Sequence, residues 1–175
     1  MLDVQSKDRL QPSLLDRLTD HQPGNSRENP EDRVLTRQML RAAVLRDLSW
    51  LFNATRPEPE PASTRRKEAE LWRANPHARQ SVLNYGLPAF AGSTKSSLNR
   101  PVMEEAIKQA IIQFEPRIDA KSLVVEIRVG SRMQYNALNL TIKGNMWSQP
   151  MPLEMFVTAD VDLETGHAQM RDLRK

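Results

Sequence analysis

Two spacings of apolar residues divide the chain into a helical part and a part made of strands. Between residues 33 and 114, several segments have apolar side chains every three or four positions, which is typical of helices. From 121 to 173 they alternate with polar ones, which is typical of strands covered on one face. The pattern predicts an α+β fold. N-terminal helices and an extended arm precede a core helix packed on a small antiparallel sheet of about four strands.

The clearest helical pattern runs from Pro101 to Phe114 and ends before Pro116, which has no N–H to continue a helix. A longer helix is predicted from Pro30 or Glu31 to Phe52. A shorter one opens at Pro76 with Asn75 as its cap and ends near Gly86. The apolar stripe predicted for the second helix consists of Leu40, Val44, Leu48 and Leu51.

Four segments alternate apolar and polar residues with period two, and short glycine-containing segments separate them. Gly130 to Arg132 and Gly144-Asn145 are predicted to be the first two connecting turns. The last strand follows a turn from Asp162 to Gly166. The predicted strands span 123–129, 137–143, 153–161 and 167–173.

The N-terminal region is polar and irregular. Residues 1–32 are therefore predicted to be an extended arm, and 33–175 a single α+β domain, helical over 33–114 with its sheet over 121–173. The arm carries one short amphipathic segment, in which Ser13 is a plausible N-cap. Its leucines, Leu14, Leu15 and Leu18, make too small a stripe to hold a helix alone, so we expect them to bind a partner protein.

Glu115, Pro116 and Arg117 mark the change from helix to strand. If the backbone beyond the helix is extended, Glu115 and Arg117 project side by side at an angle fixed by the proline. Such a corner suits docking to a partner that takes a carboxylate and a guanidinium together. The alternative is a solvated helix terminus followed by a loop.

Composition argues against most chemistry. The chain of 175 residues has no cysteine, three separated histidines and a net charge of +3, so no metal cluster, cofactor or nucleic-acid footprint is expected. Glu115 with Asp119 is the only local carboxylate pair for a glycosidase, and Arg117 lies between them. No signal peptide or membrane span is recognised, so we expect a cytoplasmic, non-enzymatic protein without direct membrane insertion.

Four motifs together resemble one family. Pro12 to Leu18, Ser81 to Gly86, Glu115-Pro116-Arg117 and Val161 to Gly166 agree in order and spacing with TssE. This is the family of type VI secretion baseplate subunits, related to phage-tail baseplate wedge proteins labelled "lysozyme-like". The resemblance covers roughly residues 12–173, and the Pro-Glu spacer at 57–61 falls outside the family pattern.

The resemblance implies a structural baseplate component, docked in the wedge beside TssF, TssG and TssK. It implies recruitment to a baseplate at the inner membrane and nucleation of the contractile TssB/TssC sheath around the Hcp tube, which the protein meets indirectly. It also assigns wedge docking to Glu115, Pro116 and Arg117. The alternatives are a peptidoglycan hydrolase, suggested by the family label, and an adaptor unrelated to secretion.

The last strand is the expected place for sheath contact. It is short and terminal, so it is predicted to lie at an edge of the sheet, where unpaired backbone groups accept an added strand. Its candidate residues are Gln169, Met170 and Arg171.

Overall fold

The computed structural model describes residues 13–19, 23–24, 36–59, 63–89, 99–129, 137–147 and 152–173. The predicted connecting turn Gly130 to Arg132, the loop 92–98, residues 33–35 and most of the arm, including residues 1–12 and 25–32, lie outside these residues. Five α-helices and one 3₁₀ helix precede the sheet in the described chain. They are α1 (Leu14–Leu18), α2 (Arg37–Phe52), α3 (Arg66–Ala74), α4 (Pro76–Arg79), the 3₁₀ helix Val82–Asn84 and α5 (Arg100–Phe114).

The sheet is an antiparallel meander of four strands, which confirms the predicted α+β class. Its order follows the sequence, so the first and last strands are its two edges. The register places Val125 opposite Ile142, Ile142 opposite Val157 and Val157 opposite Asp172. The strands are β1 (Val124–Val129), β2 (Ala137–Met146), β3 (Leu153–Asp162) and β4 (Ala168–Asp172).

One face of the sheet carries the core. Helix α5 packs against β1, and α2 packs against β3 and β4. Alternate residues of β2 and β3 are buried, as a sheet covered on one side requires. The stripe predicted for α2 is confirmed, because Leu40, Val44, Leu48 and Leu51 are all buried. In α5 the most deeply buried side chains are Ile107 and Ile111.

Two helix boundaries differ from the prediction. Helix α2 begins at Arg37, because Thr36 is extended and its hydroxyl accepts a bond from the N–H of Met39 at 3.1 Å. Helix α4 does begin at Pro76 but ends at Arg79, and a separate 3₁₀ turn capped by Ser81 follows it. Hydrophobic spacing alone does not distinguish one helix from two short turns in succession.

The predicted turn at Gly144-Asn145 is wrong. Strand β2 continues through both residues to Met146, which forms an isolated bridge with Ile118. A Cβ atom on Gly144 would lie 3.1 Å from the side chain of Ile118. The glycine therefore marks a close approach of another segment to the strand and not its end.

Candidate partner-binding sites

The Glu115–Arg117 corner is a turn and not the extended segment that we predicted. Helix α5 ends at Phe114 as expected, and the N–H of Ile118 then donates to the carbonyl of Glu115 at 3.1 Å. The far side of the corner is fastened to β2, since the N–H of Trp147 donates to the carbonyl of Arg117 at 2.9 Å. The turn folds Arg117 back over Glu115.

Docking through both charged side chains would require both to be exposed, and the structure buries one of them. The Glu115 side chain is 3% exposed and that of Arg117 is 24% exposed. Arg117 binds Glu115 with two nitrogens, Nε lying 2.6 Å from Oε1 and Nη2 contacting Oε2. The same Nη2 contacts Asp47 of α2. Glu115 is therefore an internal partner of Arg117, and only Pro116 of the three residues is fully on the surface.

The electrostatics of this cluster favour charged Arg117. Burial lowers the pKa of Arg117, but the bonds and charges of Glu115 and Asp47 outweigh burial and raise it. The neighbouring Tyr85 has a raised pKa because of burial and the same two carboxylates. The corner is thus a charged cluster in which each carboxylate faces the guanidinium.

The cluster continues along α2 to the N-terminal segment. Arg46 Nε lies 2.8 Å from Asp47 Oδ1, and its Nη1 lies 2.9 Å from Asp16 Oδ1 of α1. Charges of alternating sign therefore connect α1, α2 and the corner without a break. We call this set, Asp16, Arg46, Asp47, Arg117 and Glu115, the ion chain.

Helix α1 is formed within the chain itself, although we predicted that it folds on a partner. Ser13 and Asp16 make a capping box, with the Ser13 hydroxyl 2.6 Å from Asp16 Oδ2. None of its residues is buried. Leu14 and Leu18 are 73% and 74% exposed, and Leu15 is 41% exposed. The polar side of α1 is therefore attached to α2 while its leucines face outward.

The last strand is an edge strand, as predicted, and its hydrogen bonds show which backbone groups point to the outer edge. The carbonyl of His167 accepts the N–H of Asp162, and the N–H of Leu173 donates to the carbonyl of Phe156, both at 2.9 Å. Because antiparallel ladders alternate, Gln169 and Arg171 also face β3, while Ala168 and Met170 turn their backbone groups to the outer edge. Of the three candidate residues, only Met170 presents its backbone there.

A residue that the sequence did not single out occupies part of this edge. Asn53, just after α2, accepts the N–H of Ala168 at 3.0 Å and donates to the carbonyl of Ala168 at 3.0 Å. At the opposite edge, Glu104 of α5 accepts the N–H of Ile127 at 2.7 Å. Asn53 and Ala168 are 115 positions apart, so no local pattern predicts the contact.

Two cavities of the described residues have few ionisable side chains in their linings. One of about 300 Å³ lies between the end of α2, Pro88-Ala89 and the turn from Thr165 to His167, and no carboxylate lines it. Within the described residues, no group of histidines and acids is arranged to hold a metal. Glu115 is buried against Arg117, where a polysaccharide has no access. None of the helices described could cross a bilayer.

Comparison with known proteins gives one match. The family model described as "Baseplate wedge protein gp25" matches residues 38–151. The matched region includes α2 except its first residue, the ion-chain residues of α2 and the corner, and the first two strands. No match was found among curated proteins or among solved structures.

Proposed function

We propose that this chain, which belongs to the family of the baseplate wedge protein gp25, works in a type VI secretion baseplate as a subunit of TssE type. The family establishes a structural baseplate role in a phage tail-like system and interaction with other baseplate components. The proposal adds the secretion system, cytoplasmic recruitment to a membrane-docked baseplate, and initiation of the sheath.

Wedge docking is the first part of the proposal. The exposed leucines of α1 are its direct contact, because an apolar stripe that none of the described residues covers is suited to a groove on a partner. Glu115 and Arg117 support this contact indirectly. Arg117 binds Asp47, Asp47 binds Arg46, and Arg46 binds Asp16 of α1. Pro116 remains available for direct contact. The proposed partners are TssF, TssG and TssK.

Sheath initiation is the second part, and the outer edge of β4 supports it. Met170 points its N–H and C=O away from β3, and no described residue pairs with them. An extended arm of the TssB/TssC sheath, assembled around the Hcp tube, would add to β4 through main-chain bonds. The opposite edge is less suitable, because α5 packs on β1 and Glu104 takes the N–H of Ile127.

The chain acts without catalysis in this proposal, and no cofactor is involved. The observation that carries this point is the burial of Glu115 against Arg117, because Glu115 belongs to the carboxylate pair that we considered for a glycosidase. Clearing of a peptidoglycan suspension by the purified protein decides between the two functions. We expect no clearing above buffer, and sustained clearing abolished by Glu115→Gln would establish the hydrolase instead.

Wedge docking is tested by changing the leucines of α1. The double variant Leu14→Ser, Leu18→Ser should keep the melting temperature within about 2 °C, since both side chains are exposed. Its co-purification with TssF and TssG should fall at least tenfold. The matched control is Leu71→Ser in α3, which is 63% exposed but lies away from α1 in sequence. Equal binding by the double variant and the control would contradict docking through α1.

A further inference from the structure

Asn53 reproduces on β4 the bonds that a neighbouring strand would make. A side-chain amide carries one acceptor and two donor hydrogens, like a peptide group with a spare donor. Its oxygen takes the N–H of Ala168 and its nitrogen donates to the carbonyl of the same residue, both at 3.0 Å. The outward groups of Ala168 are therefore satisfied and offer nothing to an incoming strand.

The side chain is fixed in this orientation. Its second donor hydrogen bonds to the carbonyl of Ser49 at 2.8 Å, in the last turn of α2. A flipped amide would set its nitrogen against the N–H of Ala168, so the hydrogen-bond network assigns one orientation. Helix α2 packs on β3 and β4, so the bond to Ser49 fixes the Asn53 amide relative to the sheet.

We propose that Asn53 ends the part of β4 that is open to strand addition and thereby fixes the register of the strand that adds. The inference rests on the proposed function, since it assumes that an extended segment of a sheath subunit pairs with β4. Pairing then begins at Met170 and stops before Ala168. A shift of the added strand by one residue would exchange its two faces, so the competing registers are shifted by two residues. Asn53 excludes the register in which the added strand would bond to the backbone of Ala168.

The first measurement concerns the isolated protein. In wild type the Ala168 amide should exchange with deuterium slowly and that of Met170 quickly. Asn53→Ala should accelerate exchange at Ala168 at least tenfold. The matched control is Asn75→Ala, because Asn75 follows α3 and donates to the carbonyl of Leu71 at 2.8 Å without touching the sheet. Rapid exchange of Ala168 in wild type would overturn the proposal.

The second measurement reads the register directly. The chain has no cysteine, so Leu173→Cys, which changes a side chain that is 53% exposed beside the open edge, gives a single reactive site. The probe is the sheath subunit complex of the same organism, carrying one cysteine at a time along its extended arms. We expect one arm position to dominate disulfide formation with wild type and with Asn75→Ala. With Asn53→Ala, a second position two residues away should form at a comparable level.

The outcomes separate this inference from the function on which it rests. Cross-linking at one unchanged position in Asn53→Ala would overturn the role of Asn53 and leave strand addition intact. Absence of any cross-link in wild type, with sheaths assembling normally, would overturn both. Two positions in Asn53→Ala and one in the control would support both.

Discussion

Arg117 lies between two carboxylates and determines how the corner behaves. Its guanidinium binds Glu115 with two nitrogens and shares one of them with Asp47. Removing one partner of a buried ion pair leaves the other charge uncompensated, which costs more than the pair contributes. We therefore expect the charged side chains of the corner to stabilise the fold.

Replacing Arg117 by alanine should lower the free energy of unfolding by about 3 kcal/mol, because Glu115 would remain buried without its partner. The control is Arg128→Ala, which removes an exposed pair with Glu126 at 3.4 Å and should change stability by about 0.5 kcal/mol or less. Urea denaturation followed by circular dichroism measures both. A similar loss in the two variants would mean that Glu115 and Arg117 are not internally coupled.

Attachment of α1 should depend on pH through Asp16. Burial raises the pKa of Asp16, but bonds from Ser13 and the charge of Arg46 outweigh it, so its pKa lies below the ordinary 3.8. The contribution of this ion pair is therefore complete above pH 3.8 and is lost as the pH falls through the lower pKa of the folded protein. Helical carbon shifts of α1 by NMR should persist from pH 7 to about 4 and disappear in stronger acid.

Asp16→Asn provides the comparison at constant pH. It removes the ion pair with Arg46 and weakens the capping box, so the helical shifts of α1 should be reduced already at pH 7. Unchanged shifts in this variant would show that other contacts hold α1.

The position of the corner follows from the sequence, whereas the contacts around it do not. Pro116 predicted the helix end correctly, because a proline acts on its immediate neighbours. Arg117 also contacts Asp47, which is 70 positions away, and Asn53 contacts a strand 115 positions away. Such contacts depend on how α2 packs, and the residues adjacent in sequence do not indicate them.

At the scale of elements, the segment after α2 is tied to the segment before α5. Thr55 forms a parallel bridge with Leu87, and the N–H of Leu87 donates to the carbonyl of Ala54 at 2.8 Å. Buried Asn84 adds bonds to Glu58, including one from the Glu58 N–H at 3.1 Å. Part of the Pro-Glu spacer is thus a fixed strap and not a free linker.

Gly86 makes this strap possible. Its φ is +124°, and a Cβ atom would lie 2.5 Å from the carbonyl oxygen of Ala54. Gly86→Ala should therefore destabilise the protein by at least about 2 kcal/mol. Gly24→Ala is the matched control, because nothing lies within 4 Å of its Cβ position, and it should shift stability by about 0.5 kcal/mol or less. Thermal unfolding measures both, and equal melting temperatures would contradict the close packing of the strap.

Elements with a strong period were predictable, and those defined by contact were not. The alternation along β2 and β3 and the stripe of α2 were read correctly because one buried face imposes the pattern. The extension of β2 through Gly144 was not predicted, because the glycine is required by the close approach of Ile118 from another segment. The edge position of β4 followed from its place at the end of a meander.

At the scale of the whole molecule, α2 connects the two proposed binding surfaces. Arg46 holds α1, and Asn53 covers the start of the edge of β4. Asn53 lies seven positions after Arg46, which is about 10 Å along a helix axis. A single helix with its C-cap therefore sets where the proposed wedge contact and the proposed sheath contact lie relative to one another.

A proline at Met170 tests whether β4 is where the sheath begins, as proposed. The substitution removes an outward N–H, so the fold and wedge binding should survive, whereas Gln169→Pro would break the ladder with β3. Met170→Ala keeps the N–H and is the control for the lost side chain. The measurement is the number of fluorescent sheaths per cell, after co-purification with the wedge is confirmed for both variants. Few or no sheaths are expected with Met170→Pro and normal numbers with Met170→Ala. Normal numbers of full-length sheaths with Met170→Pro would show that the sheath does not begin at β4.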